Sequence, residues 1–132
     1  MPTLIGQYGT KHGHAAGKAR AILTNPNTVL TGIYEPDPVA QAAAERSPAY
    51  AGVHWYRSSE EMLGDGQIQA IAIEGQNSES LAMASTAIDA GKHLWYDKPA
   101  GDDWPGFESL VQRARAGSLL IQMGYMFRYH EG

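Results

Sequence analysis

The chain alternates short apolar segments with segments of helical periodicity along most of its length. The segments with the length and apolar content of strands are TLIGQY (3–8), TVLTGIYE (28–35), QAIAIEG (69–75), HLWYD (93–97) and SLLIQMGYMF (118–127). The helical patterns cover residues 14–23, 38–46, 59–63, 78–90 and 104–116. Strands that alternate with helices pair in parallel through right-handed crossovers. The pattern therefore predicts an α/β fold, a doubly wound parallel sheet with helices on both faces.

Two local features of this pattern are a short segment between helical stretches and the ends of one helix. The segment VHWYRS (53–58) is either a further edge strand or an extended connection. Asn77 or Ser78 is expected to cap the helix over 78–90, because their side chains can accept a hydrogen bond from the first turn. Gly91 is expected to end that helix in the left-handed conformation.

Length and charge exclude several classes of protein. At 132 residues, the chain is expected to form one domain over 1–132. Its 10 basic and 14 acidic residues form no basic stripe, so we expect no nucleic-acid partner. No apolar run approaches the roughly 20 residues of a membrane span, and the start lacks the pattern of a signal peptide. We therefore expect a cytoplasmic protein without a membrane partner. The absence of cysteine excludes disulfides, thiolate metal sites and thiol catalysis.

A lysine follows the fourth apolar segment directly. Lys98 comes after KHLWYD and before Pro99. In an open α/β sheet the carboxyl ends of the strands border the ligand crevice, so a lysine there can meet a substrate. Proline disfavours the helical conformation for the residue before it, which keeps Lys98 extended. The alternative is an ordinary solvated lysine at the end of a strand.

The first predicted strand leads into a turn that contains glycine, Gly6–His14. If Gly9 is the first glycine of a G-x-G-x-x-G motif, Lys11 takes the second glycine position and His14 the third, with Gly13 one place early. Such a turn can hold a pyrophosphate, because its N–H groups and the positive end of the helix dipole point toward it. A tight structural turn between strand and helix is the alternative.

An acidic residue ends the second predicted strand. Glu35 lies 26 positions after Gly9, near the spacing of the carboxylate that binds an adenosine ribose. A carboxylate there would repel a 2′-phosphate, and neither Pro36 nor Asp37 supplies a cation, so this pattern favours NAD over NADP. Alternatively, the segment is only a polar turn, with Pro38 in the first turn of the next helix.

The histidines and serines form no recognised catalytic or metal motif. The histidines are His12, His14, His54, His93 and His130. His12 and His14 lie close in sequence, but no third ligand lies near them in sequence, so we predict no metal site. No G-x-S-x-G and no G-K-[ST] sequence occurs, which argues against a serine hydrolase and a P-loop enzyme.

Several segments in one order resemble a known family. They are Gly6–His14, Tyr34-Glu35-Pro36-Asp37, Ala90-Gly91-Lys92-His93, Asp97-Lys98-Pro99 and Gly124-Tyr125-Met126-Phe127-Arg128-Tyr129. This pattern resembles the glucose-fructose oxidoreductase, inositol dehydrogenase and rhizopine-catabolism family, Gfo/Idh/MocA. The resemblance implies an amino-terminal Rossmann domain that binds NAD(P), whereas the family's carboxyl-terminal α/β substrate domain is absent. It also implies hydride transfer between nicotinamide and a hydroxyl-bearing carbon of a sugar or polyol.

The resemblance also implies roles for individual residues. Lys98 would be the catalytic residue, which stabilises alkoxide character near the nicotinamide, and Pro99 would follow a cis peptide bond. Asp97 stands where the family usually has glutamate, and Asn77 would lie near the ribose of the nicotinamide half. Lys11 would either crowd the pyrophosphate or supply it with a cation. The implied cofactor-binding residues are Gly9, Thr10, Lys11, His12, Gly13, Glu35, Asn77, Asp97, Lys98, Pro99 and Arg128.

Three functions follow from these observations. The first is the NAD-binding half of a sugar or polyol dehydrogenase, which would bind cofactor but not turn over alone, because the family's catalytic histidine belongs to the absent domain. The second is a stand-alone nucleotide-binding or sensory module that acts through another chain. The third is a remnant without a ligand. A domain separated from its partner domain would expose apolar surface and tend to self-associate. Homo-oligomerisation is left open.

Overall fold

The computed structural model describes residues 1–131 and contains five strands. They are β1 (Thr3–Tyr8), β2 (Thr28–Tyr34), β3 (Ala70–Ile73), β4 (His93–Tyr96) and β5 (Ile121–Met123). All neighbouring pairs are parallel, and the order across the sheet is β2-β1-β3-β4-β5. The order reverses between β1 and β3, the kind of switch point at which open α/β sheets bind ligands. The predicted α/β fold with a parallel sheet is confirmed.

The helices lie where the sequence predicted them. They are α1 (Ala15–Thr24), α2 (Pro38–Glu45), α3 (Ser59–Gly64), α4 (Asn77–Asp89) and α5 (Trp104–Ala116), with short 3-10 helices at Pro48–Tyr50 and Met126–Tyr129. Gly91 has a φ of 75°, which confirms the left-handed end of α4. The predicted cap at Asn77 or Ser78 is wrong. The Glu79 carboxylate instead accepts the N–H of Gln76 at 3.1 Å, so that Gln76 precedes the helix and Asn77 begins it.

The structure decides the open alternative at residues 53–58 and shortens one predicted strand. Residues 53–58 form an extended connection, which makes one bridge, between Trp55 and Ile33, at the edge next to β2. The last strand is much shorter than the apolar run 118–127. Its start is delayed because Ser118 has a φ of 55°, a left-handed turn conformation, and the chain enters the second 3-10 helix soon after its end.

The core has two layers, one on each face of the sheet. Ile71, Ile73 and Tyr96 belong to the layer that contains residues of α4 and α5. Ile22 of α1 packs on the opposite face with a second set that includes Ala72 and Trp95. Because side chains alternate along a strand, residues 74 and 97 continue onto the α1 face. Within residues 1–131, no helix has both the length and the apolar character required to cross a membrane.

Candidate active site at the carboxyl edge of the sheet

The turn after β1 is fastened to the end of β3. Gly9 has a φ of 92°, and a Cβ atom there would lie 2.8 Å from the main-chain nitrogen of Gly75 and 2.9 Å from the carbonyl carbon of Glu74. The N–H of His12 also donates to the Glu74 carbonyl at 2.9 Å. Only glycine fits at position 9, because both the backbone conformation and the close approach exclude a side chain.

The structure brings together Glu35 and Thr10, two residues that the sequence predicted for the cofactor site. Glu35 is buried, and its Oε2 accepts hydrogen bonds from the N–H of Thr10 at 2.6 Å and from Thr10 Oγ1 at 2.7 Å. Its Oε1 accepts the N–H of Asp37 at 2.9 Å. These donors already satisfy much of the carboxylate, so a ribose would have to share or displace them. The ribose role of Glu35 stays a prediction.

Lys11 spans the switch point of the sheet. Its ammonium lies 3.1 Å from Asp37 Oδ2, next to the start of α2, and 3.0 Å from Glu79 Oε1 on α4. Hydrogen bonds to Glu79 and Asp37 raise the pKa of Lys11, and the bond from Lys11 lowers the pKa of Asp37. The sequence favoured NAD because neither Pro36 nor Asp37 supplies a cation beside Glu35. The structure brings a cation there from another segment, because the Lys11 ammonium contacts Asp37 just after β2.

A buried group of charges lies beneath this turn. Lys18 on α1 places its ammonium 2.7 Å from Glu74 Oε1, 3.0 Å from Asp97 Oδ2 and 4.4 Å from the ring centre of Trp95. Burial raises the pKa of Glu74 to about 8, although Lys18 opposes the shift. Burial also acts to raise the pKa of Asp97, but Lys18 and His14 outweigh it and the pKa is lowered. The negative charge of the group therefore lies on Asp97, in contact with the Lys18 ammonium.

Both histidines of the turn join this group. His14 Nδ1 lies 3.1 Å from Asp97 Oδ1, and His12 Nδ1 accepts the N–H of His14 at 3.0 Å. His12 Nε2 contacts the Lys98 carbonyl at 2.8 Å. A carbonyl oxygen only accepts, so we assign the proton of His12 to Nε2 and treat its ring as neutral.

Metal ligands are closer together than the sequence suggested. Potential ligand atoms of His12, His14 and Asp97 all lie within 4.8 Å of one another. The sequence shows no third ligand near the two histidines, but the end of β4 brings Asp97 beside them in space. Both ring nitrogens of His12 have hydrogen-bond partners, and the Lys18 ammonium already contacts Asp97. This arrangement favours a hydrogen-bonded cluster, and the lack of a metal stays a prediction.

Apart from Arg128, the remaining predicted residues lie in the loop after β4 or contact it. The Lys98–Pro99 peptide bond is cis, as the resemblance implied. The N–H of Lys98 donates to Asp97 Oδ1 at 3.0 Å, and Lys98 itself is exposed. Asn77 is brought to this loop, because its Oδ1 accepts the N–H of Gly101 at 3.1 Å. Arg128 is exposed on the second 3-10 helix.

Two cavities flank the turn between β1 and α1. The smaller, about 280 Å³, lies against α2 and is lined by Thr10, Lys11, His12, Gly13, Ala16, Ala40, Ala43, Ala44 and Tyr50. The larger, about 570 Å³, lies toward β4 and β5, and its lining includes Gly13, His14, Lys18, Trp95, Asp97 and Tyr125. Gly13 lines both, so the turn separates two adjacent spaces at the same edge of the sheet.

Sequence reasoning missed Lys18 and Glu74 as site residues. Alternation along the strands provides a signal that could have found the acids. Ala72 pairs with Trp95 on the α1 face, and Glu74 and Asp97 follow each of them by one full step of the pleat. Two acids at the ends of adjacent strands call for a cation, and α1 packs on that face. Lys18 could not be assigned without the orientation of α1.

Comparison with known proteins agrees with this geometry. The family model for the oxidoreductase family with an NAD-binding Rossmann fold matches residues 5–125. The chain belongs to the Gfo/Idh/MocA oxidoreductase family. The match runs from within β1 to just beyond β5. It includes the turn between β1 and α1, which lies between the two cavities, and the loop after β4. A Rossmann-type NAD(P)-binding fold is therefore established for this member of the family.

Individual relatives of this Gfo/Idh/MocA domain are distant. A 3-ketoreductase from Actinomadura kijaniata, solved with NADP and TDP-benzene, has a TM-score of 0.84 at 23% identity, over 98% of this chain and 39% of its own. Biliverdin reductase from Synechocystis, solved with biliverdin and NADP+, has a TM-score of 0.80 at 22% identity, over 93% of this chain and 38% of its own. These similarities show the fold.

A curated relative gives the same picture at the level of sequence. It is 4-carboxy-2-hydroxymuconate-6-semialdehyde dehydrogenase from a Sphingobium species, 23% identical over 91 residues, which are 69% of this chain and 29% of that protein. The Gfo/Idh/MocA chain described here therefore spans between 29% and 39% of the length of these relatives.

Proposed function

We propose that this chain is the dinucleotide-binding part of an NAD(P)-dependent oxidoreductase. The observation that carries the proposal is the pair of cavities that meet at Gly13, on the carboxyl edge of the sheet and at its switch point. A dinucleotide has two bulky halves joined by a pyrophosphate, so it matches two spaces separated by a turn. Family membership supports the same ligand class.

The smaller cavity suits the adenosine half. Its lining includes three alanine side chains of α2, Ala40, Ala43 and Ala44, which present apolar surface to a purine. Glu35 lies behind Thr10 at the same edge, within the hydrogen-bonded group that would meet the ribose. The fit is best at this end, because apolar surface and hydrogen-bonding groups lie together.

Lys11 would take the pyrophosphate. The main-chain N–H groups of Thr10, His12 and His14 already donate within the protein, so the turn has fewer donors to offer than a glycine-rich loop. Lys11 stands at the second glycine position and holds its ammonium between two acids at this edge. If that ammonium moved onto the pyrophosphate, it would exchange its carboxylate partners for a group that carries two negative charges. Such a charge-assisted contact is favourable.

The larger cavity would receive the nicotinamide half and the substrate. Bound there, the cofactor supplies a hydride acceptor or donor. Lys98 follows β4 at this edge, where its charge would stabilise alkoxide character on a reacting hydroxyl group. Asn77 holds the loop of Lys98 through Gly101, which gives it a positioning role in addition to any contact with ribose.

The choice between NAD and NADP depends on two residues with opposite effects. Glu35 disfavours a 2′-phosphate by its charge, whereas Lys11 supplies a cation within reach of the same end of β2. We propose NAD as the preferred cofactor, because Lys11 placed on the pyrophosphate would leave the carboxylates of Glu35 and Asp37 without a cation at the ribose. This preference rests on charge alone.

The substrate would be a sugar or polyol, and turnover would need polypeptide beyond this domain. An apolar surface beside the larger cavity supports the need for further polypeptide. It is formed by the exposed side chains of Tyr125, Met126, Phe127 and Tyr129. We propose a cytoplasmic location for the whole protein. The same apolar surface would support self-association of the isolated domain.

Calorimetric titration tests the proposal. The chain, shown to be folded by circular dichroism, is titrated with NAD, NADP and AMP. We expect saturable binding of NAD, weaker binding of NADP, and weaker binding of AMP that competes with NAD. A folded chain that binds none of the three contradicts the proposal. Binding of AMP without competition would place adenosine outside the smaller cavity.

A further inference from the structure

His12 connects three segments of the candidate site. Its N–H donates to the Glu74 carbonyl at 2.9 Å, and its Nδ1 accepts the N–H of His14 at 3.0 Å. Its Nε2 lies 2.8 Å from the carbonyl oxygen of Lys98, which is 86 residues away along the chain. One residue of the turn between β1 and α1 therefore contacts both the end of β3 and the loop after β4.

The two ring contacts of His12 require a single protonation state. The His14 N–H is a donor, so Nδ1 carries the lone pair, and the Lys98 carbonyl is an acceptor, so Nε2 carries the proton. The nearest carboxylate oxygens, of Glu74 and Asp97, lie 3.7 Å and 3.6 Å from Nδ1, which is too far for a hydrogen bond. The geometry therefore makes His12 the donor of a hydrogen bond to Lys98.

Lys98 is held by hydrogen bonds of its main chain. Within residues 1–131 its ammonium has no ion-pair or hydrogen-bond partner, so the position of the side chain depends on the backbone that carries it. Its N–H donates to Oδ1 of the preceding residue, Asp97, at 3.0 Å. The bond from His12 to the Lys98 carbonyl is thus the hydrogen bond that joins Lys98 to a different segment. The next such bond in this loop is the one from Gly101 to Asn77.

We propose that His12 is a positioning residue, which fixes the main chain of Lys98 to the turn that would hold the dinucleotide; this inference rests on the proposed function. A dinucleotide bound at the turn would meet a Lys98 whose backbone is already fixed relative to that turn. Such preorganisation removes part of the entropic cost of aligning a catalytic group with its substrate. Without the bond from His12, the ammonium would start from a wider range of backbone positions.

NMR of the imidazole nitrogens tests the protonation state on which the proposal depends. The chain is labelled with nitrogen-15 and studied at about pH 8, above the ordinary pKa of a histidine side chain. Correlation of the ring nitrogens with the carbon-bound ring protons distinguishes a protonated nitrogen from an unprotonated one. We expect the proton of His12 on Nε2. A proton on Nδ1 would overturn the proposal, because Nε2 could not then donate to the Lys98 carbonyl.

Two variants separate the two ring contacts. In H12N the side-chain oxygen can still accept the N–H of residue 14, as in an Asx turn, but the side chain is too short to reach Lys98. In H12Q the longer amide can donate to the Lys98 carbonyl, but its oxygen no longer occupies the position of Nδ1. The pair therefore distinguishes the bond to Lys98 from the bond inside the turn.

Amide hydrogen exchange of the chain without ligand measures how firmly the loop is held. We expect H12N to speed exchange of the Lys98 amide about tenfold, the effect of one lost hydrogen bond, and H12Q to retain the wild-type rate. The Gly9 amide, which donates to the Tyr34 carbonyl, is the internal reference. An unchanged Lys98 rate in H12N would overturn the proposal. Equal acceleration in both variants would also overturn it, because the cause would then be the altered turn.

Acylation by acetic anhydride tests the consequence for a bound dinucleotide without requiring turnover. The exposed Lys98 amine is followed by peptide mass spectrometry, with the α-amino group of exposed Met1 as the reference. Each protein is treated with and without NAD at a concentration that calorimetry shows to be saturating for it. We expect NAD to protect Lys98 in the wild type and in H12Q, and we expect that protection to be lost in H12N.

Two acylation results would overturn the proposal. One is equal protection of Lys98 in H12N and the wild type, and the other is no protection in a wild-type chain that has bound NAD. Failure of the proposed function looks different, because a folded wild-type chain would then bind no dinucleotide in calorimetry. In that case the ring protonation and the exchange rates, both measured without ligand, decide whether His12 holds the Lys98 loop.

Discussion

The ammonium of Lys18 lies 2.7 Å from Oε1 of Glu74, although burial raises the pKa of that carboxyl group to about 8. Glu74 is therefore protonated in the folded chain over a range in which it is ionised in the unfolded chain. Its contribution to stability is fully present below pH 4.5, its ordinary pKa, and is lost as the pH rises to about 8. The ion pair with Lys18 does not by itself keep Glu74 charged.

Glu74→Gln should flatten the dependence of stability on pH. Glutamine resembles the protonated acid, so the variant and the wild type should have similar free energies of unfolding near pH 5. The wild type should then fall below the variant as the pH rises to 8, with a slope on the order of 1 kcal/mol per pH unit. Urea denaturation at several pH values measures this difference. Parallel curves would show that Glu74 is ionised in the folded chain at neutral pH.

Lys18→Met should destabilise the fold strongly. The substitution leaves the charge of Asp97 buried without its cation, which typically costs about 3–5 kcal/mol. Arg20→Met is the matched control, because Arg20 is exposed on the same helix and its loss should change stability by less than about 0.5 kcal/mol. Urea denaturation of both variants at pH 7 provides the comparison. Equal, small effects would mean that the buried charges are not coupled.

Gly9→Ala and Gly13→Ala should differ sharply. Position 9 combines a φ of 92° with main-chain atoms of Glu74 and Gly75 within 3.0 Å of a new Cβ. A Cβ at Gly13 would meet nothing within 4 Å. We expect Gly9→Ala to lower the free energy of unfolding by more than about 1 kcal/mol, and Gly13→Ala to change it by less than about 0.5 kcal/mol. Similar losses in the two variants would contradict the close contact between the turn and β3.

Lys11→Ala should affect ligand binding more than folding. Its ion pairs lie at the surface, where such pairs add little to stability. Loss of a charge-assisted contact to the pyrophosphate should weaken NAD binding on the order of tenfold. Arg57→Ala, which removes an equal charge from a highly exposed side chain, should leave binding unchanged. Tighter NAD binding by Lys11→Ala would show instead that Lys11 crowds the phosphates.

The sequence predicted the elements well and the site incompletely, for physical reasons. Helix boundaries follow from local signals such as Pro38, which begins α2, and Gly91, which ends α4. The apolar run 118–127 overstated its strand, because hydrophobicity does not show where the backbone turns at Ser118. Pro38 and Gly91 signal a helix boundary because each restricts or permits a particular backbone conformation. Ser118 carries no such signal, so the turn there could not be predicted.

The site depends on contacts between distant segments. Thr10 and Glu35 were both predicted for the cofactor site, but the sequence could not show that they bond to each other. His14 was placed near the phosphates, whereas the register of β3 and β4 brings Asp97 to its Nδ1. Pairing of side chains across a parallel sheet requires the strand order, which no single segment contains.

The most direct test of the central claim is an amide-shift titration of the isotopically labelled chain with NAD, followed by two-dimensional NMR. The account predicts that the largest changes fall in residues 9–14, 35–37 and 97–101, with the α4–α5 face unchanged. Residues 10–14 and Asp97 line the two cavities that meet at Gly13, and Glu35 and Asp37 contact Thr10 and Lys11 of the same turn. Shifts confined to any other surface, or no saturable shift in a folded chain, would contradict a dinucleotide site at this edge.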